Sequence, residues 1–395
     1  MTDDPRDILL SYAGRASTVV LECLGEKNVE SIFVSGGVAR NDVAAFRSPF
    51  GIEIYSDLDL FIIARPTADL ESSRRVVRHA VSAIPRRGEN FVIFPEPDIG
   101  VFSEADFLGQ KTRPGTAEIA GANVLLYGAA ADPTKAGKFA ATEIDSSEAL
   151  YLLENRLGEI AEIAGRLERG ETDGFRRYVR YVLLKSCLDA GTAILIVLGL
   201  FHPARGERMR RLRDARSRED CRRLLPEAAF NRLERSHDEL TNLQVTLETD
   251  PGPDPASIRD VGAFLLDTWK RIGEIITNYK TNDWNGLFEW RCRSGRWIGN
   301  ARELSILARR RSIPRMGLLV RARRLARLSP VDTLRLSGTA GMLETIERGD
   351  GLSPATRRGS TSGGYADVLD ELTRVFGYTA GGLFARARRM FEETV

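Results

Sequence analysis

The feature that most constrains this chain is a pair of carboxylates set inside an apolar run, Ser56-Asp57-Leu58-Asp59-Leu60-Phe61-Ile62-Ile63. β-Branched and aromatic residues make the run a strand. Alternate side chains of a strand share a face, so Asp57 and Asp59 point the same way, with Cα atoms roughly 6.5–7 Å apart. Leu58 and Leu60 turn the other way, into a core. Two like charges on an inner strand are costly unless something compensates them. A hard divalent cation does so, and Mg²⁺ is often held by one or two carboxylates together with substrate phosphates. A second ion about 3.5–4 Å away would complete a clamp on the attacking and leaving oxygens of an in-line phosphoryl displacement.

The preceding segment, "VESIFVSGG", reads as another strand ending at Gly36 and Gly37. Glycine allows unusual backbone angles and the close approach of a ligand. "VARNDVAAF" predicts a short helix, whose first-turn N–H groups suit phosphate. Ser35 and Arg40 add contacts to a triphosphate. The stretch is not a Walker loop, because no Gly-Lys-Ser/Thr follows, and it has no G-x-G-x-x-G fingerprint.

Gly-Gly closing one strand and Asp-x-Asp in the next resembles the DNA polymerase β-like nucleotidyltransferase superfamily. Val34-Ser35-Gly36-Gly37 and Ser56-Asp57-Leu58-Asp59-Leu60 carry the likeness, and "GGVARND" is similar to the G-G-x-x-R-x-E/D form of bacterial members. The spacer is longer than in compact members, and the extra "RSPFGIEIY" is expected to be a loop. The resemblance spans about 130 residues. It implies an α+β fold, with a mixed sheet and flanking helices at residues 1–142. It also implies transfer of a nucleoside monophosphate from ATP or another nucleoside triphosphate to a hydroxyl acceptor, with two Mg²⁺ ions or Mn²⁺. On that likeness Asp57 and Asp59 are metal ligands, and Ser56 joins Ser35, Gly36, Gly37 and Arg40 around the nucleotide. The family also needs a third carboxylate on a neighbouring strand. Asp98 fits best, because an apolar strand follows it in "EPDIGVFS"; Glu96 is the rival, with Glu104 and Asp106 behind.

From Asp145 the pattern becomes helical. An all-α bundle is expected at 143–282, forming the second wall of a cleft, with helices over residues 145–170, 173–200, 205–223, 226–248 and 257–279. Lys185, near Tyr178 and Tyr181 on the second of these, is a candidate contact to base or phosphate. The longest apolar run, Ala190–Phe201, has twelve residues, too few to span a bilayer. Region 283–395 is a third part, expected to be mostly helical. Residues 291–327 hold twelve arginines and one acid, Glu303. With Trp284, Trp290 and Trp297 nearby, this cluster could meet RNA or an acidic protein, or be a solvated helical surface.

Apolar content of 43% and charged content of 28% are ordinary for a globular protein without membrane spans. The acidic start, "MTDDPRDILL", lacks a secretory n-region. Cys23, Cys187, Cys221 and Cys292 show neither metal spacing nor a disulfide framework, and a reduced, cytoplasmic protein is expected. No two of His79, His202 and His237 have zinc spacing. Arg232–His237 fits the R-x4-H pattern of helical HEPN ribonucleases, but Arg74–His79 fits equally, so the pattern does not discriminate. A second functional reading keeps the nucleotidyltransferase scaffold without its chemistry, as a binding or antitoxin-like protein with weak or no catalysis.

Overall fold

Helix α1, Pro5–Leu24, begins where the sequence supplies a cap. The Asp4 carboxylate accepts the Arg6 N–H at 2.7 Å, and proline opens the first turn, where its missing donor costs nothing. The computed structural model describes residues 4–66, 68–128, 139–167, 173–249, 252–253 and 255–277. The strands are β1 Val29–Ser35, β2 Ala45–Ser48, β3 Gly51–Ile54, β4 Asp59–Ala64, β5 Phe91–Ile93, β6 Asp98–Ser103 and β7 Val124–Gly128. Among them lie helices α2 Leu70–Ser82, α3 Glu104–Leu108 and α4 Pro114–Gly121.

Two sheets form. One has the order β6-β4-β1-β7 and the other β2-β3-β5. In the first, β1 runs antiparallel to β4 and β7, while β4 and β6 are parallel. In the second, β3 is antiparallel to β2 and parallel to β5. Alternation sorts the larger sheet into two faces. Ile32, Val34, Leu60 and Ile62 pack with Leu9, Tyr12 and Val77 of α1 and α2. Phe33 and Ile63 pack with Phe107 of α3 and Ile119 of α4. The fold is therefore mixed α+β.

The described residues after Ser147 are helical: α5 Ser147–Leu167, α6 Asp173–Val197, α7 Arg205–Ala215, α8 Glu219–Leu224, α9 Glu227–Thr241, α10 Leu243–Thr249 and α11 Pro255–Thr277. Helix α6 packs against α5, α9 and α11 and is buried on most sides, as expected of a central helix. That burial accounts for the apolar run. No helix among the described residues is long and apolar enough to cross a membrane. Helix α6 also meets the smaller sheet. Tyr55 lies 6.1 and 5.8 Å from Tyr178 and Tyr181, centroid to centroid. Arg177 forks onto the buried Glu53 at 3.0 and 2.5 Å.

Several expectations change. "VARNDVAAF" is not a helix: residues 36–41 form turns, with φ of 78° at Gly36 and 55° at Asn41, and β2 follows. Both angles are left-handed, which no right-handed helix accommodates. "RSPFGIEIY" is not a loop but supplies the β2–β3 hairpin. The strand holding the aspartates starts at Asp59, so Asp57 precedes it. The helices expected at 205–223 and 226–248 each divide in two, at 216–218 and at Asn242. Helices α3 and α4 were not expected. Between β5 and β6, Pro95 and Pro97 interrupt the extended chain and carry it from the smaller sheet to the larger. The Arg291–Arg327 cluster, its tryptophans and the rest of the mostly helical region expected at 283–395 lie outside the described residues.

Candidate active site

A shared corner builds the site. The chain passes from β3 to β4, and from β5 to β6, side by side. Phe94 N–H donates to Ile54 O and Asp98 N–H donates to Leu58 O, both at 2.9 Å. The parallel ladder then begins with Asp59 opposite Asp98, so their carboxyls project on one face at one end of the sheet. On the other side of β4, Ser35 ends β1 opposite Asp59. Leu58 and Leu60 are buried in the α1 core, as the alternation predicts.

The glycines are required by space. A Cβ on Gly36 would lie 2.8 Å from Asp59 Oδ2, and φ there is 78°. A Cβ on Gly37 would lie 2.8 Å from Asp42 O and 3.3 Å from Ser56 Oγ. Ser56 Oγ accepts the Ala44 N–H at 2.7 Å, which pins the turn to the corner. The Gly-Gly segment thus packs as bare backbone against the carboxylates.

Asp59 is partly buried. Burial first, then the neighbouring Asp98 and Asp57 carboxylates, push its pKa up to about 7. Asp57 is answered differently: Lys185 Nζ donates to its Oδ2 at 2.5 Å. Burial alone would lower the Lys185 pKa, but Asp57 outweighs it and the ammonium is held charged. Among the described residues, no three His, Cys, Asp or Glu side chains are gathered closely enough to hold a metal ion. Asp59 and Asp98 share a register, while Asp57 leans on the lysine. The chemistry of the donors still fits a hard cation, because Asp59 carries oxygen donors under pressure from like charges.

Glu96 is tied to Arg86 at 3.3 Å, and Arg86 also donates to Phe94 O at 2.7 Å, so this rival carboxylate belongs to a corner brace. Glu104 and Asp106 open α3 and are exposed. Ser35 does not serve as expected. Its side chain is buried and donates to Ala122 O at 3.2 Å.

A cavity of about 270 Å³ lies over Gly36, Gly37, Ser56, Asp57 and Asp59. Helices α4, α5, α6, α7 and α9 wall it. Its rim is a set of ion pairs that bring distant parts of the chain together. Glu118 takes Arg40 at 3.0 Å and Arg208 at 2.6 Å. Arg205 pairs with Asp42. Arg156 meets Asp189 at 2.5 Å and also pairs with Glu159. Arg40 Nε is buried and has no hydrogen-bond partner. Of the residues expected at the site, Gly36, Gly37, Arg40, Ser56, Asp57, Asp59 and Lys185 line this cavity, while Asp98, the strand neighbour of Asp59, and Ser35 are not in its lining. Glu118, Arg156, Asp189, Arg205, Arg208 and His237 also line it; Glu118, Asp189, Arg205 and Arg208 have no local signature, since their partners are remote in sequence. Arg232, the other end of the R-x4-H match, donates instead to Asp260 O of α11 at 2.8 Å.

No protein-family model matches the chain, and comparison with curated proteins finds no similar sequence.

Proposed function

We propose that this chain is a divalent-cation-dependent nucleotidyltransferase with a polymerase β-like catalytic part. The reading is supported above all by one arrangement: Asp59 faces Asp98 in register, and Gly36 presents bare backbone to Asp59 at the floor of a cavity. Asp57, Asp59 and Asp98 are the residues that would hold Mg²⁺, which when bound neutralises polyphosphate charge and polarises the phosphorus being attacked. The Gly36–Gly37 turn leaves space for a triphosphate against the backbone. Arg40 brings an unspent N–H to the same turn. Lys185 holds Asp57 before the nucleotide arrives and is placed to exchange that carboxylate for a phosphate oxygen.

In the reaction an acceptor oxygen forms a bond to the α-phosphorus as its proton passes to the Asp98 carboxylate. The bond from that phosphorus to the bridging oxygen breaks, and pyrophosphate leaves with the electron pair. Positioning and charge compensation supply most of the rate in such transfers. The test is release of pyrophosphate from a panel of nucleoside triphosphates with Mg²⁺ and cell extract as the source of acceptor. Wild type is expected to release it, and Asp57→Asn and Asp59→Asn to lose it while remaining folded. Unchanged release in both variants would overturn the assignment.

The Lys185–Asp57 pair favours one other reading, a nucleotide-binding protein without transfer, because it occupies one of the carboxylates. Calorimetric binding of ATP and Mg²⁺ without label transfer to any acceptor would select that reading.

A further inference from the structure

Three guanidiniums meet beside the Gly-Gly turn, and two carboxylates answer them. Arg40 belongs to the turn itself. Arg205 and Arg208 come from α7, where a spacing of three puts them on one face. Glu118 of α4 is shared between Arg40 and Arg208, and Asp42 pairs with Arg205. Asp42 is fixed to the turn as well, since its N–H donates to Gly37 O at 2.8 Å. All five side chains line the cavity.

Each guanidinium is engaged through a single terminal nitrogen: Nη1 of Arg40, Nη2 of Arg205 and Nη1 of Arg208. Among the described residues the other terminal nitrogen of each makes no hydrogen bond, and none of those three atoms is buried. A guanidinium is a planar fork that serves two oxygens at once. Half of each fork is therefore unspent, on the side of the molecule where the cavity lies. Closing such partly buried pairs gains little, because both partners give up water. An anion with more charge and more oxygens than a carboxylate can displace them.

We propose that Arg205 and Arg208 bind the polyphosphate of a nucleoside triphosphate, which takes the places that Asp42 and Glu118 hold in its absence. The proposal rests on the transferase reading for the identity of that donor; the unspent forks by themselves call for a polyphosphate. It adds a role for the helical part. Met209 and Leu212 follow Arg205 and Arg208 on the same face of α7, are buried, and line the cavity. The donor's phosphates would thus hold the helix that forms the second wall.

The test is binding of inorganic tripolyphosphate to the full chain, by calorimetry in EDTA, with no transfer required. Wild type is expected to bind it. Arg205→Gln and Arg208→Gln should each weaken binding about tenfold, the loss of one charge-assisted contact. Asp42→Asn and Glu118→Gln should lower the melting temperature of the free chain yet tighten binding several-fold, because the competing acid is gone. A merely structural ion pair would not give those opposite signs. Arg210→Gln, on the exposed side of α7 with Glu207 and Asp214, should leave binding unchanged. ATP should show the same dependence on Arg205 and Arg208. No tripolyphosphate binding in the wild type, affinity indifferent to both arginine variants, or weaker binding in both Asp42→Asn and Glu118→Gln would overturn the proposal. So would equal damage from Arg210→Gln, or an ATP affinity that ignores both arginines while that of tripolyphosphate falls. Pyrophosphate release retained while tripolyphosphate ignores the arginines would sink this assignment alone; binding as expected with no release would sink the transferase reading alone.

Discussion

Replacing Asp59 by asparagine isolates the electrostatic pressure on the candidate site. Asn is nearly isosteric with a protonated carboxyl and cannot ionise. The ordinary value for this carboxyl is 3.8, and burial with Asp98 and Asp57 raises it to about 7 in the folded chain. Between those values the native state holds a proton that the unfolded chain has released. Stability from this group is therefore undiminished below the unfolded value, falls as pH rises through the window, and is lowest above the folded value. At 1.36 kcal/mol per pH unit the loss reaches at most about 4 kcal/mol. Asp59→Asn removes that slope. Urea denaturation followed by circular dichroism, in EDTA, should find the variant and wild type nearly equal at about pH 4 and the variant more stable by about 2–4 kcal/mol at about pH 8. Adding Mg²⁺ at the higher pH should stabilise the wild type and leave the variant little changed, since a ligand bound by the native state alone stabilises it. If the difference between the two proteins did not vary with pH, Asp59 would not bear the charge strain, and the argument for a cation there would fail.

Two further substitutions probe the same corner. Lys185→Met removes the ammonium from Asp57; calorimetry should find Mg²⁺ binding strengthened while pyrophosphate release falls at least tenfold, because the competing cation and the phosphate contact are the same group. Gly36→Ala places a methyl 2.8 Å from Asp59 Oδ2 at a φ of 78°; it should cost about 1–3 kcal/mol in urea denaturation and abolish pyrophosphate release.

Local pattern determined a good part of this protein. The alternation around Asp57 and Asp59, with Leu58 and Leu60 facing a core, is a period of two that any strand imposes. The caps of α1, the interruption at Pro95 and Pro97, and the helical texture after Asp145 also act within a few residues. The Gly-Gly turn was legible as a close approach of backbone, but its conformation was not. Helical spacing in "VARNDVAAF" lost to the left-handed angles at Gly36 and Asn41 and to strand pairing with a hairpin the sequence did not announce. Tertiary structure alone decided which carboxylate stands beside Asp59. Asp98 and Glu96 are equally acidic and one strand period apart, and only the β4–β6 register separates them, with Arg86 claiming Glu96. It alone decided that Lys185 reaches Asp57 across 128 positions and that Arg40, Arg205, Arg208 and Glu118 converge. The reason is physical: side-chain periodicity is set by bonds along the chain, whereas ion pairs and cavities depend on which elements pack together, and that is settled by burial summed over the whole fold.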